Sequence, residues 1–195
     1  MSKIFIPLGN SCSIAYNLKF LKLRTCAFPF DWVRITNFNN VTKLIQNKFY
    51  GFLDSKNFKF KEFSDKFTVN GEKGSYIYSN NYCSFYHEFS KLIEKSDFDF
   101  FKEKYLRRIK RFFEFMNSSN EIIFIREEFG KVKMSKINNF INTINEIYPY
   151  LDYKLIIITN QKVNFSHKNL KFYYSDVKVT DWKRPELNWI QIFNL

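Results

Sequence analysis

The sequence predicts an α/β fold: a single three-layer domain over residues 1–195, with a mostly parallel sheet flanked by helices. Short apolar runs typical of buried strands alternate with segments whose apolar residues recur at the 3.6-residue period of a helix. Such alternation favours parallel pairing, because the connecting helices cover both faces of the sheet. The 195 residues, of which 45% are hydrophobic, also supply enough apolar material for a sizeable core.

The first strand and helix are predicted at residues 3–8 and 11–23. The first segment is an apolar run, and in the second the residues sharing one helical face are Ile14, Ala15, Leu18 and Leu21. Asn10 or Ser11 can cap this helix. The turn Gly9-Asn10-Ser11-Cys12 therefore places Cys12 after the first strand, at the start of the helix.

The same alternation continues along the chain. Further helices are predicted at 37–49, 98–117 and 135–148, and further strands at 121–128, 153–160 and 170–176. Residues 51–90 are rich in aromatic side chains and contain a turn at 70–75, so short strands or ordered loops are expected there.

Several polar residues follow the predicted strands directly. The carboxyl ends of parallel strands meet at one edge of a sheet, which is where ligands bind. We therefore expect Cys12, Arg126 and Asn160 at one rim. The planar guanidinium of Arg126 could bind a substrate carboxylate or phosphate, or it could pair with Glu127 or Glu128.

Cys12 is the candidate nucleophile. A helix N-terminus lowers the pKa of a thiol, because unpaired N–H groups favour the thiolate. The same N–H groups could hold the oxyanion formed when a thiolate attacks a carbonyl, and Gly9 would let a substrate approach closely. The candidate oxyanion and substrate-binding residues are Gly9, Asn10, Ser11, Ser13 and Arg126. The alternative is an inert cysteine that packs as a small hydrophobe.

His87 is the candidate general base. It lies in the aromatic segment SFYHEFS, whereas His167 lies in a polar turn. An apolar setting strengthens a Cys–His pair, which favours His87. A third group should orient the imidazole. We take Asp181 for this position and keep three alternatives open: Asn188, Asp31 and Glu88.

Other sites of similar composition are excluded by spacing. A phosphate-binding loop needs Gly-Lys five and six positions after its first glycine, and those positions after Gly9 are Ile14 and Ala15. Ser11 is not flanked by glycines as in serine hydrolases. No arginine stands six positions after any cysteine, which argues against a cysteine phosphatase. The three cysteines contain no C-x-x-C pair, so neither a metal site nor a disulfide framework is expected.

The net charge of +12 bears on partners and location. The lysines are scattered among acidic residues, so nucleic-acid binding is not expected, while a phosphate-bearing small molecule remains compatible. The first ten residues hold too short an apolar run for a signal peptide, and no apolar stretch approaches the roughly 20 residues of a membrane span. The sequence therefore predicts a reduced, cytoplasmic protein; it does not predict an oligomeric state.

One long segment, IPLGNSCSIAYNLKFLKLRTCAFPFDWV, has a recognisable pattern. It combines Leu-Gly-x-x-Cys at Cys12, Leu-Arg at Arg24 and Pro-Phe-Asp-Trp at Asp31, and His87-Glu88-Phe89 follows later. Supporting features are Arg107, Arg108, Arg111, Phe112, Arg126, Trp189 and Phe193. The chain resembles a domain-of-unknown-function family described as papain-like cysteine peptidases, found in bacteria and large DNA viruses. The resemblance implies a peptidase with Cys12 as nucleophile and His87 as base. The chain departs from it at Asn188, where relatives tend to have histidine.

The layered layout is also similar in outline to α/β esterases and acyltransferases, including capsule-polysaccharide acetyltransferases that use a Cys–His pair and bind coenzyme A. This likeness implies an alternative function, transfer of an acyl group from acyl-coenzyme A to a carbohydrate. The hydrolase needs no cofactor and acts on a peptide or a small acyl compound. A non-catalytic binding module is the third possibility.

Overall fold

The computed structural model describes residues 2–128 and 130–194 and has the mixed α/β class that the sequence predicts. The strands are Lys3–Pro7 (β1), Val33–Arg34 (β2), Lys59–Val69 (β3), Glu72–Ser79 (β4), Ser84–Phe85 (β5), Glu121–Glu128 (β6), Tyr153–Thr159 (β7) and Leu170–Tyr174 (β8). The helices are Ser13–Phe20 (α1), Phe38–Gln46 (α2), Lys95–Met116 (α3), Met134–Ile147 (α4) and Trp189–Phe193 (α5).

The first sheet has the strand order β1-β6-β7-β8, and all its pairings are parallel. Side chains along β6 alternate between two covered faces. Ile123 and Ile125 pack in a cluster with α1 and α5, whereas Ile122 and Phe124 belong to a larger cluster with α2 and α4. These helices on both faces give the three layers that the sequence predicts, and burial on both faces explains the continuous apolar runs.

The second sheet is antiparallel and has the order β2-β5-β4-β3. The sequence indicates short strands or loops in this region but not a separate sheet. The longest strand, β3, lies at an edge and is mostly exposed, so it lacks the alternation of apolar and polar residues by which half-buried strands are recognised. Phe60 and Phe63 project from it and contact Tyr76 of the neighbouring strand.

Helix α3 covers the antiparallel sheet and joins it to the rest of the core. The rings of Phe101 and Tyr105 lie 5.1 and 5.7 Å from that of Phe85 in β5. Phe112, two turns further on, contacts Phe30 at 5.8 Å. The aromatic stripe that predicts this helix is therefore core packing.

Helix α1 is shorter than its predicted range of 11–23. The backbone N–H groups of Leu23 and Arg24 turn back to the carbonyl of Leu18, and Lys22 has a left-handed φ of 58°. The chain thereby leaves the helix after Phe20. No helix in the described part of the chain is both long and apolar enough to cross a membrane. The architecture is compatible with one domain over residues 1–195, and that division stays a prediction.

Candidate active site

Cys12 and His87 line the same cleft, which has a volume of about 630 Å³. Three parts of the chain form its wall. The lining residues are Asn10, Ser11 and Cys12 from the β1–α1 turn; Arg34, Lys66, Phe67, Thr68, Tyr86 and His87 from the antiparallel sheet and its surroundings; and Val179, Trp182, Lys183 and Arg184 from the C-terminal segment. A larger groove of about 1060 Å³ lies between residues 48–58 and α3, and its described lining contains no cysteine or histidine.

The β1–α1 turn is sharp and is held against the core. Gly9 and Asn10 have left-handed φ angles of 72° and 70°, and the carbonyl of Cys12 accepts the first helical hydrogen bond, from Tyr16, at 3.0 Å. A Cβ on Gly9 would lie 3.2 Å from Cγ1 of Ile35. Gly9 is therefore the point where the turn approaches a core side chain, and it does not line the cleft.

The structure indicates a protonated Cys12 thiol. Burial raises the pKa of Cys12 to about 12, with a smaller increase from the charge of Asp31, while Arg34 lowers it. The prediction of a lowered pKa is wrong for this structure, because desolvation outweighs the effect of the short helix α1. Cys12 is therefore a thiol near neutral pH.

His87 is held in one tautomer. Its Nδ1 lies 3.0 Å from the carbonyl oxygen of Thr68, and because a carbonyl can only accept, Nδ1 carries the proton. Nε2 then bears the lone pair. The imidazole lies against the rings of Trp32 and Phe67, each at 5.6 Å, and that of Trp182 at 6.4 Å. The ring is thus presented as a proton acceptor in an aromatic surrounding.

The structure does not bring Asp181 to His87. Asp181 is exposed, lies outside the cleft lining, and accepts a hydrogen bond from the backbone of Lys183 at 2.8 Å. The orienting position at Nδ1 is occupied instead by the carbonyl of Thr68. A main-chain acceptor leaves no residue-type signal, so the sequence could not have pointed to it.

The three alternatives for that position also have other partners. The Glu88 carboxylate bonds to Lys104 and to the hydroxyl of Tyr105. The Asp31 carboxylate accepts from Arg24 and from the backbone N–H of Phe28, and burial raises its pKa. Asn188 caps α5 by accepting from the backbone of Gln191 at 3.0 Å.

A buried polar network supports the turn from below. The Glu127 carboxylate is 0% exposed and accepts hydrogen bonds from the hydroxyl of Ser13 and, at 3.0 Å, from Arg184. The side chain of Asn10 donates to the Glu127 carbonyl at 2.6 Å, and the Ser13 backbone N–H donates to the Ser11 hydroxyl at 3.2 Å. Of the predicted oxyanion residues, Asn10 and Ser11 line the cleft, whereas Ser13 lies beneath it.

Glu127 and Arg184 are the residues whose role the sequence reasoning missed. The sequence suggests Glu127 only as a partner for Arg126, although a carboxylate near the end of a buried strand is itself a signal of a polar partner. Arg184 lies in an irregular segment of the chain, and its position in the sequence gives no sign that it contacts the network below the β1–α1 turn.

Arg126 is a structural residue, which corrects its predicted role in substrate binding. It is 0% exposed, and its guanidinium donates to the carbonyls of Leu8 and Ile35 at 2.8 and 2.9 Å and to Glu128. It faces the opposite side of the sheet from Glu127 and lies over the ring of Phe38. The ion pair with Glu128, which the sequence left open, is confirmed.

Comparisons with known proteins show which family the chain belongs to. A family model described as "Putative papain-like cysteine peptidase (DUF1796)" matches residues 3–170, a range that includes Cys12 and His87. "Uncharacterized protein R408" of Acanthamoeba polyphaga mimivirus is 29% identical over 223 residues, covering 97% of this chain and 96% of that protein. No solved structure matches the chain. The match to the family model spans most of the sequence, and this chain therefore belongs to the family described as "Putative papain-like cysteine peptidase (DUF1796)".

Proposed function

We propose that this protein is a cysteine hydrolase that cleaves an acyl bond with Cys12 as nucleophile and His87 as general base. The observation that carries the proposal is the shared cleft: Cys12 lies there as the N-cap residue of α1, and His87 is held through Nδ1 so that Nε2 can accept a proton. The family description supports a peptide as the acyl substrate.

The reaction has two halves. In the first, the Cys12 S–H proton moves to Nε2 of His87 while sulfur bonds to the acyl carbon; the bond to the leaving group then breaks, and His87 returns the proton to that group. In the second, His87 takes a proton from water, the water oxygen bonds to the acyl carbon, the C–S bond breaks and sulfur regains its proton. Asn10 and Ser11, beside Cys12, are the candidates to hold the oxyanion.

The raised pKa of Cys12, about 12, determines how His87 would act. A preformed thiolate–imidazolium pair is disfavoured in these surroundings, so proton transfer accompanies attack on the carbonyl. The base function then requires neutral His87.

Acyl transfer is the second candidate. It uses the same thioester intermediate, but a carbohydrate hydroxyl takes the place of water and acyl-coenzyme A is the donor. The observation that favours it is the cationic lining of the cleft, which includes Arg34 and Lys183 and suits a donor that bears phosphates.

The proposal is tested with p-nitrophenyl acetate. We expect a burst of about one equivalent of p-nitrophenolate and an acetyl group on Cys12 by mass spectrometry. The rate of acetylation should fall by about 100-fold in His87→Ala, because positioned general bases typically contribute at least that much. His167→Ala removes the other histidine and is the matched control, with no expected change.

Acetylation of Cys12 at the same rate as Cys26, or at the same rate in His87→Ala, would overturn the proposal and leave an inert binding cleft. Acetyl-coenzyme A as donor, with and without a sugar acceptor, then separates the two candidates. Transfer of the thioester acetyl group to the sugar faster than to water would favour the transferase.

A further inference from the structure

The charges that line the cleft have one sign. Arg34, Lys66 and Lys183 all contribute to its wall, and in the described part of the chain no carboxylate forms an ion pair with any of the three. Arg184 also lines the cleft, but it is bound to Glu127 and Glu186. The described lining contains no aspartate or glutamate.

In the described lining, no side chain of the cleft neutralises these three positive charges. Cys12 has a pKa of about 12 and is uncharged near neutral pH, so the nucleophile adds no negative charge. Lys183 lies over the faces of Tyr16 and Trp182, at 5.3 and 5.9 Å from the ring centroids. These contacts hold the ammonium group at the wall without neutralising it.

Arg34 is close enough to Cys12 to affect its thiol. The positive charge of Arg34 lowers the pKa of Cys12 against the larger effect of burial. Arg34 belongs to β2, whose other residue, Val33, is fully buried, so the backbone that carries the guanidinium is anchored in the core. An anion bound by Arg34 would therefore lie beside the reacting sulfur.

We propose that this cleft binds a substrate carrying an anionic oxygen group, a phosphate or a carboxylate, next to its acyl carbon, with Arg34, Lys66 and Lys183 as its ligands. Three cations around one cavity favour a group with more than one negative charge. That the bound anion belongs to a substrate rests on the proposed function. Binding of an anion in the cleft can be tested without turnover.

The test compares two alkylating reagents of nearly equal size, iodoacetate and iodoacetamide, at Cys12. Both form a bond from sulfur to carbon and release iodide, and they differ in charge. Because both need the same thiolate, the ratio of their rates is independent of the pKa of Cys12. The ratio for the same cysteine in the urea-unfolded protein is the reference.

We expect the iodoacetate to iodoacetamide ratio to be about tenfold higher in the native protein than in the unfolded chain at low salt, and to fall as salt is added. Arg34→Gln and Lys183→Gln should each lower the native ratio about threefold. Lys43→Gln removes one positive charge from α2, outside the cleft, and should leave the ratio unchanged. Equal native and unfolded ratios, or a ratio indifferent to the cleft variants, would overturn the anion site.

A second arm identifies the anion. Inorganic pyrophosphate and glutarate, at equal concentrations, are tested for protection of Cys12 against iodoacetamide. Stronger protection by pyrophosphate indicates a phosphate-bearing substrate, and stronger protection by glutarate indicates a carboxylate; protection by neither contradicts the site. A normal p-nitrophenolate burst together with an unchanged reagent ratio would reject the anion site alone. A raised ratio without a burst would reject catalysis and keep the anion site.

Discussion

The two halves of the candidate site are held in different ways. Cys12 belongs to the parallel sheet region, where the buried carboxylate of Glu127 ties the turn to Arg184 of the C-terminal segment. His87 belongs to the antiparallel sheet region, where its partly exposed ring has one hydrogen bond to a backbone carbonyl and lies among aromatic side chains. The position of Cys12 is thus coupled to the stability of the core, whereas that of His87 depends on local contacts.

The hairpin of β3 and β4 forms much of the cleft wall on the His87 side. The pairing register of β3 shifts between Ser64 and Thr68, and the residues of this irregular stretch enter the cleft. Bulges of this kind redirect side chains at sheet edges. The hairpin therefore supplies both Lys66 and the carbonyl of Thr68, and local movement there would shift the imidazole of His87 without disturbing the core.

The largest expected effect comes from breaking the network below Cys12. Glu127→Gln keeps the shape of the side chain but leaves the buried guanidinium of Arg184 without one of its carboxylates. We expect the free energy of unfolding, measured in urea, to fall by about 3 kcal/mol, which is typical of a broken buried ion pair.

Glu121→Gln is the matched control for that change. Glu121 lies at the other end of β6 and pairs with Lys154 at 3.3 Å, where both side chains are partly exposed. Removing an exposed pair should cost less than about 1 kcal/mol. Equal losses in the two variants would show that the Cys12 side is no more tightly coupled to stability than the surface.

The second effect depends on pH. The pKa of the Cys12 thiol is raised from about 9 to about 12 in the folded protein, so the folded state holds its proton where the unfolded state has lost it. This contribution to stability is full below pH 9 and is lost as pH rises towards 12. Cys12→Ser does not titrate in this range.

The free energy of unfolding of the wild type relative to Cys12→Ser should therefore be constant from about pH 6 to 8 and should decrease above about pH 9. Urea unfolding at a series of pH values measures this difference. A difference that stays level through pH 9 and above would contradict the burial of the thiol as the cause of its raised pKa.

A smaller loss of stability is expected from a substitution on the His87 side of the cleft. His87→Ala removes one hydrogen bond and a partly exposed ring, so the free energy of unfolding should fall by only about 1 kcal/mol. This small loss also makes the variant usable in the acetylation test. If His87→Ala lowered the free energy of unfolding as much as Glu127→Gln, the His87 side would be as strongly coupled to the stability of the core as the Cys12 side.

The smallest expected effect is a difference between the two histidines in which ring nitrogen carries the proton. Thr68 accepts from Nδ1 of His87, whereas Nδ1 of His167 accepts from the backbone N–H of Asn169 at 3.1 Å. The two neutral rings should therefore be opposite tautomers, Nδ1–H in His87 and Nε2–H in His167. Long-range ¹H–¹⁵N NMR distinguishes them, with His167→Ala assigning the signals. An Nε2–H tautomer at His87 would break the orientation on which the base function depends.

Much of the parallel sheet could be predicted from the sequence, because strands covered on both faces must be apolar throughout. The runs ending at Glu128 and Thr159 therefore appear at the right places. For the antiparallel sheet the sequence predicts only short strands or ordered loops. Its edge strand β3 is mostly exposed, and an exposed strand does not carry the alternation by which half-buried strands are found.

The sequence by itself determined the class of fold, the position of Cys12 in the turn after the first strand and the choice of His87 as the candidate base. Local periodicity, turn chemistry and the flanking aromatic residues are sufficient for these. Only the tertiary structure decided that Thr68 orients His87, that Arg126 is buried and Glu127 supports the turn, and that Cys12 rests as a thiol. Each of these depends on which groups meet across long sequence separations and on how much water they lose there, and neither quantity is encoded in the spacing of neighbouring residues.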